Sequence, residues 1–240
     1  MAMTLRQVLQ CVQPMFFEDG FEGYEYSCGG TFFFVTFRKK FFAITAKHCL
    51  RGRDYKTIRL LRPSATKGKA FIPVKVISEI EDPQGPSCDW PDLVFIKLSE
   101  DALSTSDKAA SWFLDFDSLS KLKTSLIAGD RLGTKGYPYY AKGIDYEKAI
   151  IKMGAVAWSG TYAGVGHEAN IHKFEFSKLD GVPDLNGFSG APVFKIFQND
   201  QVTRYWFAGV ILRGTVLSRT AYFVDHNVVF RALEILSREK

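Results

Sequence analysis

Three separate stretches of this chain carry a hydroxyl, an imidazole and a carboxylate that together could do acyl-transfer chemistry. Ser189 lies in Asn186-Gly187-Phe188-Ser189-Gly190-Ala191-Pro192, just ahead of the apolar run Val193-Phe194-Lys195-Ile196. Glycines at 187 and 190 allow backbone angles and close approaches that a side chain forbids. A tight turn there exposes the hydroxyl and lets the N–H groups of Gly187 and Ser189 converge on a developing oxyanion. Gly-x-Ser-Gly also occurs in ordinary hairpin turns, so the serine needs partners before it means anything. A serine hydroxyl becomes a nucleophile when a base, usually histidine, takes its proton, and a buried carboxylate holds that histidine in the right tautomer.

The chain has four histidines. His48 closes the apolar strand-like run Ala43-Ile44-Thr45-Ala46-Lys47-His48-Cys49, and by itself it also reads as a satisfied core residue. His167, in the loop Gly164-Val165-Gly166-His167, and His226, at the start of the last helix, read as surface residues. His172 precedes a strand and reads either way. For the carboxylate, Asp92 opens Asp92-Leu93-Val94-Phe95-Ile96-Lys97-Leu98, an apolar run that would bury it, after Pro91 has fixed the entry to the strand. The competing readings are a turn residue at 92, common for aspartate, and Asp89 as the carboxylate instead.

These residues need rigid elements to bring them together. Leu5, Val8, Leu9 and Val12 form a helical stripe, and Thr4 with Gln7 fits a capping box at its start. From Tyr24 the period becomes that of strands. Thr31–Phe37 and Phe41–Thr45 flank Arg38-Lys39-Lys40 and predict a β-hairpin with a basic turn. Further strands are predicted at Thr57–Leu61, Phe71–Ile77, Leu93–Leu98, Gly129–Gly136, Lys148–Trp158, Lys173–Ser177, Val193–Phe197, Tyr205–Leu212 and Thr220–Val224. A helix or irregular connector occupies 101–125. Val228, Val229, Ala232, Leu233, Ile235 and Leu236 form a second helical stripe after Asp225, its N-cap. Many short strands between glycine and proline turns predict an all-β fold of barrels or a sandwich.

Taken in order, the three stretches resemble those of the trypsin-like serine peptidases of the chymotrypsin fold. Thr45-Ala46-Lys47-His48-Cys49 resembles that family's histidine motif, Asp92-Leu93-Val94-Phe95-Ile96 its aspartate motif, and Gly187-Phe188-Ser189-Gly190-Ala191-Pro192 its serine motif. Cys28-Gly29-Gly30-Thr31 resembles the sequence that opens the family's histidine hairpin. The resemblance covers residues 24–238 and implies two six-stranded β-barrels with the site in the cleft between them. It implies Ser189 as nucleophile, His48 as general base and then acid, Asp92 as the orienting carboxylate, and the Gly187 and Ser189 N–H groups as the oxyanion hole. It implies a substrate pocket lined by residues around Pro183 and Asp184, by Ile211, Arg213 and Gly214, and near Thr220-Ala221-Tyr222. Asp184 facing that pocket would favour a basic residue at the cleaved position, whereas Arg213 would attract acidic ones; the strand ending at Gly214 could also pair with an extended substrate. Phe188 departs from the pattern. Secreted digestive members have an aspartate there, which pairs with a newly cut N-terminus, and a phenylalanine cannot. The family often bridges the cysteines that Cys28 and Cys49 resemble; here both are expected as free thiols.

Composition narrows the rest. A 240-residue chain with 46% hydrophobic residues is globular rather than disordered. Four cysteines are too few for a disulfide scaffold and lack paired zinc spacing. The net charge of +5 owes much to Arg51, Arg53, Lys56, Arg59, Arg62, Lys67 and Lys69, which face the single acid Asp54. Few aromatics interleave with them, so a solvated face is preferred to a nucleic-acid surface. No run has the apolar length of a membrane span, and no secretory signal precedes the fold. The expected organisation is a helical extension over 1–22, a β-barrel with connector over 23–120 carrying His48 and Asp92, and a second barrel with the terminal helix over 121–240 carrying Ser189. The expectation is a bacterial, cytoplasmic serine endopeptidase without metal or organic cofactor, acting on protein or peptide and restricted either by a narrow substrate or by the need for an activating partner. The rival expectation is a pseudo-peptidase that binds peptide or protein without turning it over.

Overall fold

The computed structural model describes residues 3–50, 52–62, 71–79, 92–103, 112–120, 125–148, 150–168, 170–199 and 202–238. Arg51, Lys67 and Lys69 of the basic stretch, Cys88, Asp89, Pro91 and parts of the 101–125 connector lie outside the described residues. Helix α1, Leu5–Cys11, opens with the Thr4–Gln7 capping box and passes directly into strand β1, Val12–Phe21. The helical extension expected over 1–22 therefore ends at Cys11. The strand escaped the sequence pattern because its first six residues are buried on both faces, which removes the alternation. Pro14 lies inside it, where the register to the next strand shifts between Pro14 and Phe16; proline cannot serve a regular ladder and favours such irregular points.

The N-terminal sheet adds β2 (Tyr24–Phe37), β3 (Lys40–Ala46), β4 (Ile58–Leu61), β5 (Phe71–Ile72), β6 (Val74–Glu79) and β7 (Leu93–Leu98). Its order is β5-β4-β1-β2-β3-β7-β6. The two ends of that order, β5 and β6, are consecutive in sequence and separated only by Pro73. Phe71–Glu79 is thus one strand bent at a residue that has no N–H to give, pairing with β4 before the bend and with β7 after it. That bent strand closes the sheet into a six-stranded barrel. The two-residue β8, Leu114–Asp115, adds in parallel to β2 and leads into the one-turn helix α2, Phe116–Leu119.

The C-terminal half holds β9 (Arg131–Gly136), the hairpin β10 (Lys142–Asp145) and β11 (Ile150–Met153), then β12 (Val156–Val165), β13 (Ile171–Phe176), β14 (Pro192–Gln198), β15 (Thr203–Thr215) and β16 (Thr220–Asp225). Six of these close into a barrel in the order β12-β13-β16-β15-β14-β9, with β9 pairing back onto β12. Helix α3, His226–Leu236, follows, its first turn capped by Asp225 accepting from the Asn227 N–H at 2.7 Å. One apolar cluster spans the first barrel and the face where the barrels meet. It joins Phe33 to Phe116 and Phe207, and continues to Val210, Leu212 and Val224 of the second barrel. The two barrels are therefore welded by apolar burial, which fixes the cleft between them. No helix among the described residues is long and apolar enough to cross a membrane.

The β2–β3 hairpin delivers His48, and its turn is unusual in composition. Phe37 pairs with Lys40, so the loop is Arg38-Lys39, with φ of 49° and 62°. Two positive φ values make a type I′ turn, which usually recruits asparagine and glycine. Neighbours hold it instead: the Arg38 N–H donates to Asp117 at 2.8 Å and the Lys40 ammonium donates to the Ser237 carbonyl at 2.9 Å. A left-handed residue with a side chain costs about 1–2 kcal/mol, and glycine's extra freedom in the unfolded chain costs about 0.5–1. Lys39→Gly is therefore expected to stabilise the protein by about 0.5–1 kcal/mol. A urea midpoint that rises at constant slope is the expected result, and a falling midpoint would show that the turn carries no strain.

Candidate active site

Strand register brings the first two site residues together. Ala46, the last residue of β3, pairs with Leu93, the first of β7. The residues just beyond, Lys47 and Asp92, are therefore neighbours, and the Lys47 N–H donates to the Asp92 carbonyl at 3.0 Å. The chain then turns through the 3₁₀ segment Lys47–Leu50, which swings the His48 ring onto the same aspartate. One Asp92 oxygen accepts the His48 backbone N–H at 2.9 Å, and the other lies 2.6 Å from His48 Nδ1. This contact holds a proton on Nδ1 and leaves Nε2 as the outward-facing nitrogen. Half of the imidazole surface is exposed. Asp92 pushes its pKa up from 6.5 to about 10, the Cys49 thiol adds to this, and burial pulls the other way.

The serine loop is two consecutive turns. The Phe188 N–H donates to the Leu185 carbonyl at 3.1 Å with Gly187 at φ +91°, and the Ala191 N–H donates to the Phe188 carbonyl at 2.9 Å with Gly190 at φ +86°. A single positive φ at the third position marks both as type II turns. Space alone would demand glycine as well. A Cβ on Gly187 would lie 2.6 Å from the Tyr137 carbonyl oxygen, and one on Gly190 would lie 2.1 Å from the Thr31 carbonyl oxygen and 2.3 Å from Thr45 Oγ1. The Asn186 carbonyl accepts the Tyr139 N–H at 2.9 Å. In a trans peptide the N–H points opposite to the C=O, so the Gly187 N–H is turned away from Tyr139. Among the described residues the N–H groups of Gly187 and Ser189 have no hydrogen-bond partner in the protein.

Phe188, where the serine stretch departs from the family it resembles, takes part in an aromatic stack. Phe188 is 1% exposed and lies on Trp158 with ring centroids 4.1 Å apart and planes at 16°. Gly136 admits the ring, since a Cβ there would be 2.9 Å from it. The two halves of the site meet at the loop's backbone. The Ser189 carbonyl accepts the Thr31 N–H at 3.2 Å and the Cys49 thiol at 3.4 Å, so the residue next to His48 touches the residue that bears the hydroxyl. Cys28 and Cys49 are free thiols. The Ser189 hydroxyl itself donates to the Leu212 carbonyl at 2.8 Å, and no hydrogen bond joins it to His48 among the described residues.

The predicted pocket residues divide. Asp184 accepts the Asn186 N–H at 2.8 Å, which makes its carboxylate part of the turn rather than a pocket charge. Pro183 is exposed beside it. Ile211 is 2% exposed, its side chain packs in the core of the second barrel, and its peptide staples the serine loop, accepting from Gly190 N–H and donating to the Ala191 carbonyl, each at 2.8 Å. Arg213 is exposed, with its guanidinium 5.3 Å from the Tyr222 ring centroid. Gly214 packs against Leu185, which belongs to the stretch around Pro183 and Asp184 expected to line the pocket with it. Pairing of β15 with β14 ends at Pro192 opposite Val210, whereas β16 follows β15 to Thr215. Residues 213–215 therefore present one strand edge that no described strand covers.

A second histidine–aspartate cluster went unseen in the sequence. His226, read there as a surface residue, is 6% exposed. Its Nδ1 and the Nε2 of His172 each lie 3.2 Å from one Asp225 oxygen, and His172 Nδ1 meets the Tyr162 hydroxyl at 2.7 Å. Burial pushes the Asp225 carboxyl up, but the two histidines and the Asn227 N–H outweigh it and hold it well below the usual range. Only the N-cap role of Asp225 had a sequence signal. The basic stretch likewise acquires partners from elsewhere, Arg53 pairing with Asp19 and Arg59 with Glu18 of β1. Among the described residues no group of three or more His, Cys, Asp or Glu is placed to hold a metal ion.

No protein-family model and no curated protein sequence matches this chain. Solved structures do. A human heparin binding protein superposes with a TM-score of 0.63 at 14% identity, over 100% of this chain and 96% of its own. A scabies mite inactivated protease paralogue gives a TM-score of 0.56 at 14% identity, over 98% of each chain. At such identities the likeness carries the fold alone, and that fold is the two-barrel chymotrypsin fold.

The His48–Asp92 pair can be tested without reference to activity. Folding raises the imidazole pKa, so the pair favours the folded state in full below about pH 6.5 and loses that contribution as the pH rises towards about 10. Asp92→Asn is therefore expected to lower the thermal midpoint most near pH 6, and by a shrinking amount up to pH 10. In parallel, NMR should show the His48 ring titrating well above pH 7 in the wild type and nearer 6.5 in the variant. A wild-type midpoint at the ordinary histidine value would overturn this account of the pair.

Proposed function

We propose that this protein is a serine endopeptidase that hydrolyses peptide bonds through an acyl-enzyme. The observation that carries the reading is the pair of partnerless N–H groups at Gly187 and Ser189, held by two type II turns beside an Asp92-oriented imidazole. In the proposed reaction Ser189 Oγ turns from the Leu212 carbonyl towards His48 Nε2, gives up its proton there and attacks the substrate carbonyl carbon. The oxyanion that forms accepts from the Gly187 and Ser189 N–H groups, interactions stronger in the tetrahedral state than in the ground state. His48 then passes the proton to the leaving amine, and water repeats the sequence to release the acid. An extended substrate fits the open edge of β15 at residues 213–215 as an added strand. The base form of His48 is required, so turnover should climb as the pH rises above neutrality. A cytoplasmic location accords with the free Cys28 and Cys49 thiols. Control by an activating partner belongs to the same proposal.

A second reading, a peptide-binding pseudo-peptidase, is favoured by one observation: the Ser189 hydroxyl donates to the Leu212 carbonyl rather than to His48. A fluorophosphonate probe separates the two. Labelling faster at pH 9 than at pH 7, and absent from Ser189→Ala, is expected for the peptidase, with turnover in that variant down by a factor on the order of 10⁴–10⁶. Folded wild-type protein that stays unlabelled at both pH values would sink the peptidase and leave the binding module.

A further inference from the structure

The loop that bears Gly187 and Ser189 is held from behind by the stretch Lys135-Gly136-Tyr137-Pro138-Tyr139, the end of β9 and its continuation. Three contacts fix the turn to this stretch. The Tyr139 N–H donates to the Asn186 carbonyl at 2.9 Å, the Tyr137 N–H donates to Thr31 Oγ1 at 2.9 Å, and Thr31 Oγ1 donates to the Gly187 carbonyl at 2.6 Å. The Tyr137 carbonyl also walls off the space at Gly187 Cα. Pro138 restricts the backbone between the two anchors. Movement of Tyr137 therefore moves the peptide that aims the Gly187 N–H.

The other end of this stretch is tied to the N-terminal helix by a buried ammonium. Lys135 is 8% exposed, and its Nζ donates to the Leu9 carbonyl, to the Val12 carbonyl at 3.3 Å and to the Tyr137 hydroxyl at 3.2 Å. An ammonium has three donors and no acceptor, so these three oxygens satisfy it in full. Leu9 lies in the last turn of α1, where carbonyls lack intrahelical partners and the helix dipole is negative. The Tyr137 hydroxyl also donates to the Val12 carbonyl at 3.3 Å. Nothing in the proposed reaction uses this cation, yet burying a lysine is costly unless it is fully paired.

We propose that Lys135 is a positioning residue for the oxyanion turn, and that docking of helix α1 on it holds the Gly187 and Ser189 amides in place. This rests on the reading of those amides as an oxyanion hole, and the test separates the two. Hydrogen exchange, read by mass spectrometry on peptides covering 183–192, needs no activity. Lys135→Met keeps the length of the side chain and removes its donors. It is expected to speed exchange in 183–192 by about tenfold, as for a local loss of roughly 1.4 kcal/mol, while peptides from β12 and β16 keep their protection. Fluorophosphonate labelling should slow by a similar factor, and Lys135→Arg should recover part of it. Tyr137→Phe deletes only the hydroxyl and keeps the test open should Lys135→Met not fold; a smaller change in the same direction is expected. Unchanged exchange in 183–192 in either folded variant would overturn the inference. Faster exchange in the variants, together with a wild type that never labels, would keep the coupling and remove the peptidase reading instead.

Discussion

The site depends on one buried hydroxyl. Thr31 is fully buried on β2, and its Oγ1 accepts the Tyr137 N–H while donating to the Gly187 carbonyl. Its own N–H goes to the Ser189 carbonyl and its carbonyl accepts Thr45 Oγ1 at 2.7 Å. Four elements thus meet on one residue: the first barrel's β2 and β3, the strand leaving β9, and the serine loop of the second barrel. Each such bond contributes about 1 kcal/mol net, yet leaving a buried partner unsatisfied costs about 1–3 kcal/mol. The asymmetry favours a single arrangement of the two barrels. A valine of the same shape could pack at Thr31, but it would strand the Tyr137 N–H and the Gly187 carbonyl together.

Around that centre, the packing is aromatic. Phe188, the residue at which the serine stretch departs from the family it resembles, has its ring held on Trp158 and over Gly136. A stack neither titrates nor is screened by salt, and its contribution scales with buried area. The loop is therefore held at this point by apolar packing and not by an ion pair. The protonation that matters to the serine is on the other barrel, at His48. The shape of the site and its protonation are set by different physics in different halves of the molecule.

Much of this was legible in the sequence, for reasons that can be stated residue by residue. His48, Asp92 and Ser189 each lie where an apolar strand begins or ends, so a polar residue there stands out against its neighbours. Asp225 and Thr4 announced their helices because a cap needs a particular side-chain oxygen. Strand β1 was hidden by double-sided burial and by Pro14, and the closing strand by its bend at Pro73, both of which break the period-two signal. The Arg38-Lys39 turn was placed correctly, but its positive φ values belong to Asp117 and Ser237, which lie far away in sequence. His226 was misjudged for a related reason. Burial is decided by what a residue packs against, and the Asp225 cluster that surrounds it is not visible locally.

The resting state of the site follows from its two polar contacts taken together. With its proton bound, His48 presents an N–H at Nε2 and has no lone pair for a hydroxyl hydrogen. Ser189 must then find another acceptor, and the Leu212 carbonyl at 2.8 Å provides it. Loss of the imidazole proton reverses the preference, because the bare Nε2 becomes a better acceptor than an amide carbonyl. The Asp92 contact that orients the ring is also what delays this loss to higher pH. Orientation and activation are therefore opposed in the free protein. On the proposed function, a peptide laid along the β15 edge would shift that balance: covering the half-exposed imidazole removes water from its charged form and favours the neutral base. On that proposal, the ligand that needs the nucleophile helps to generate it.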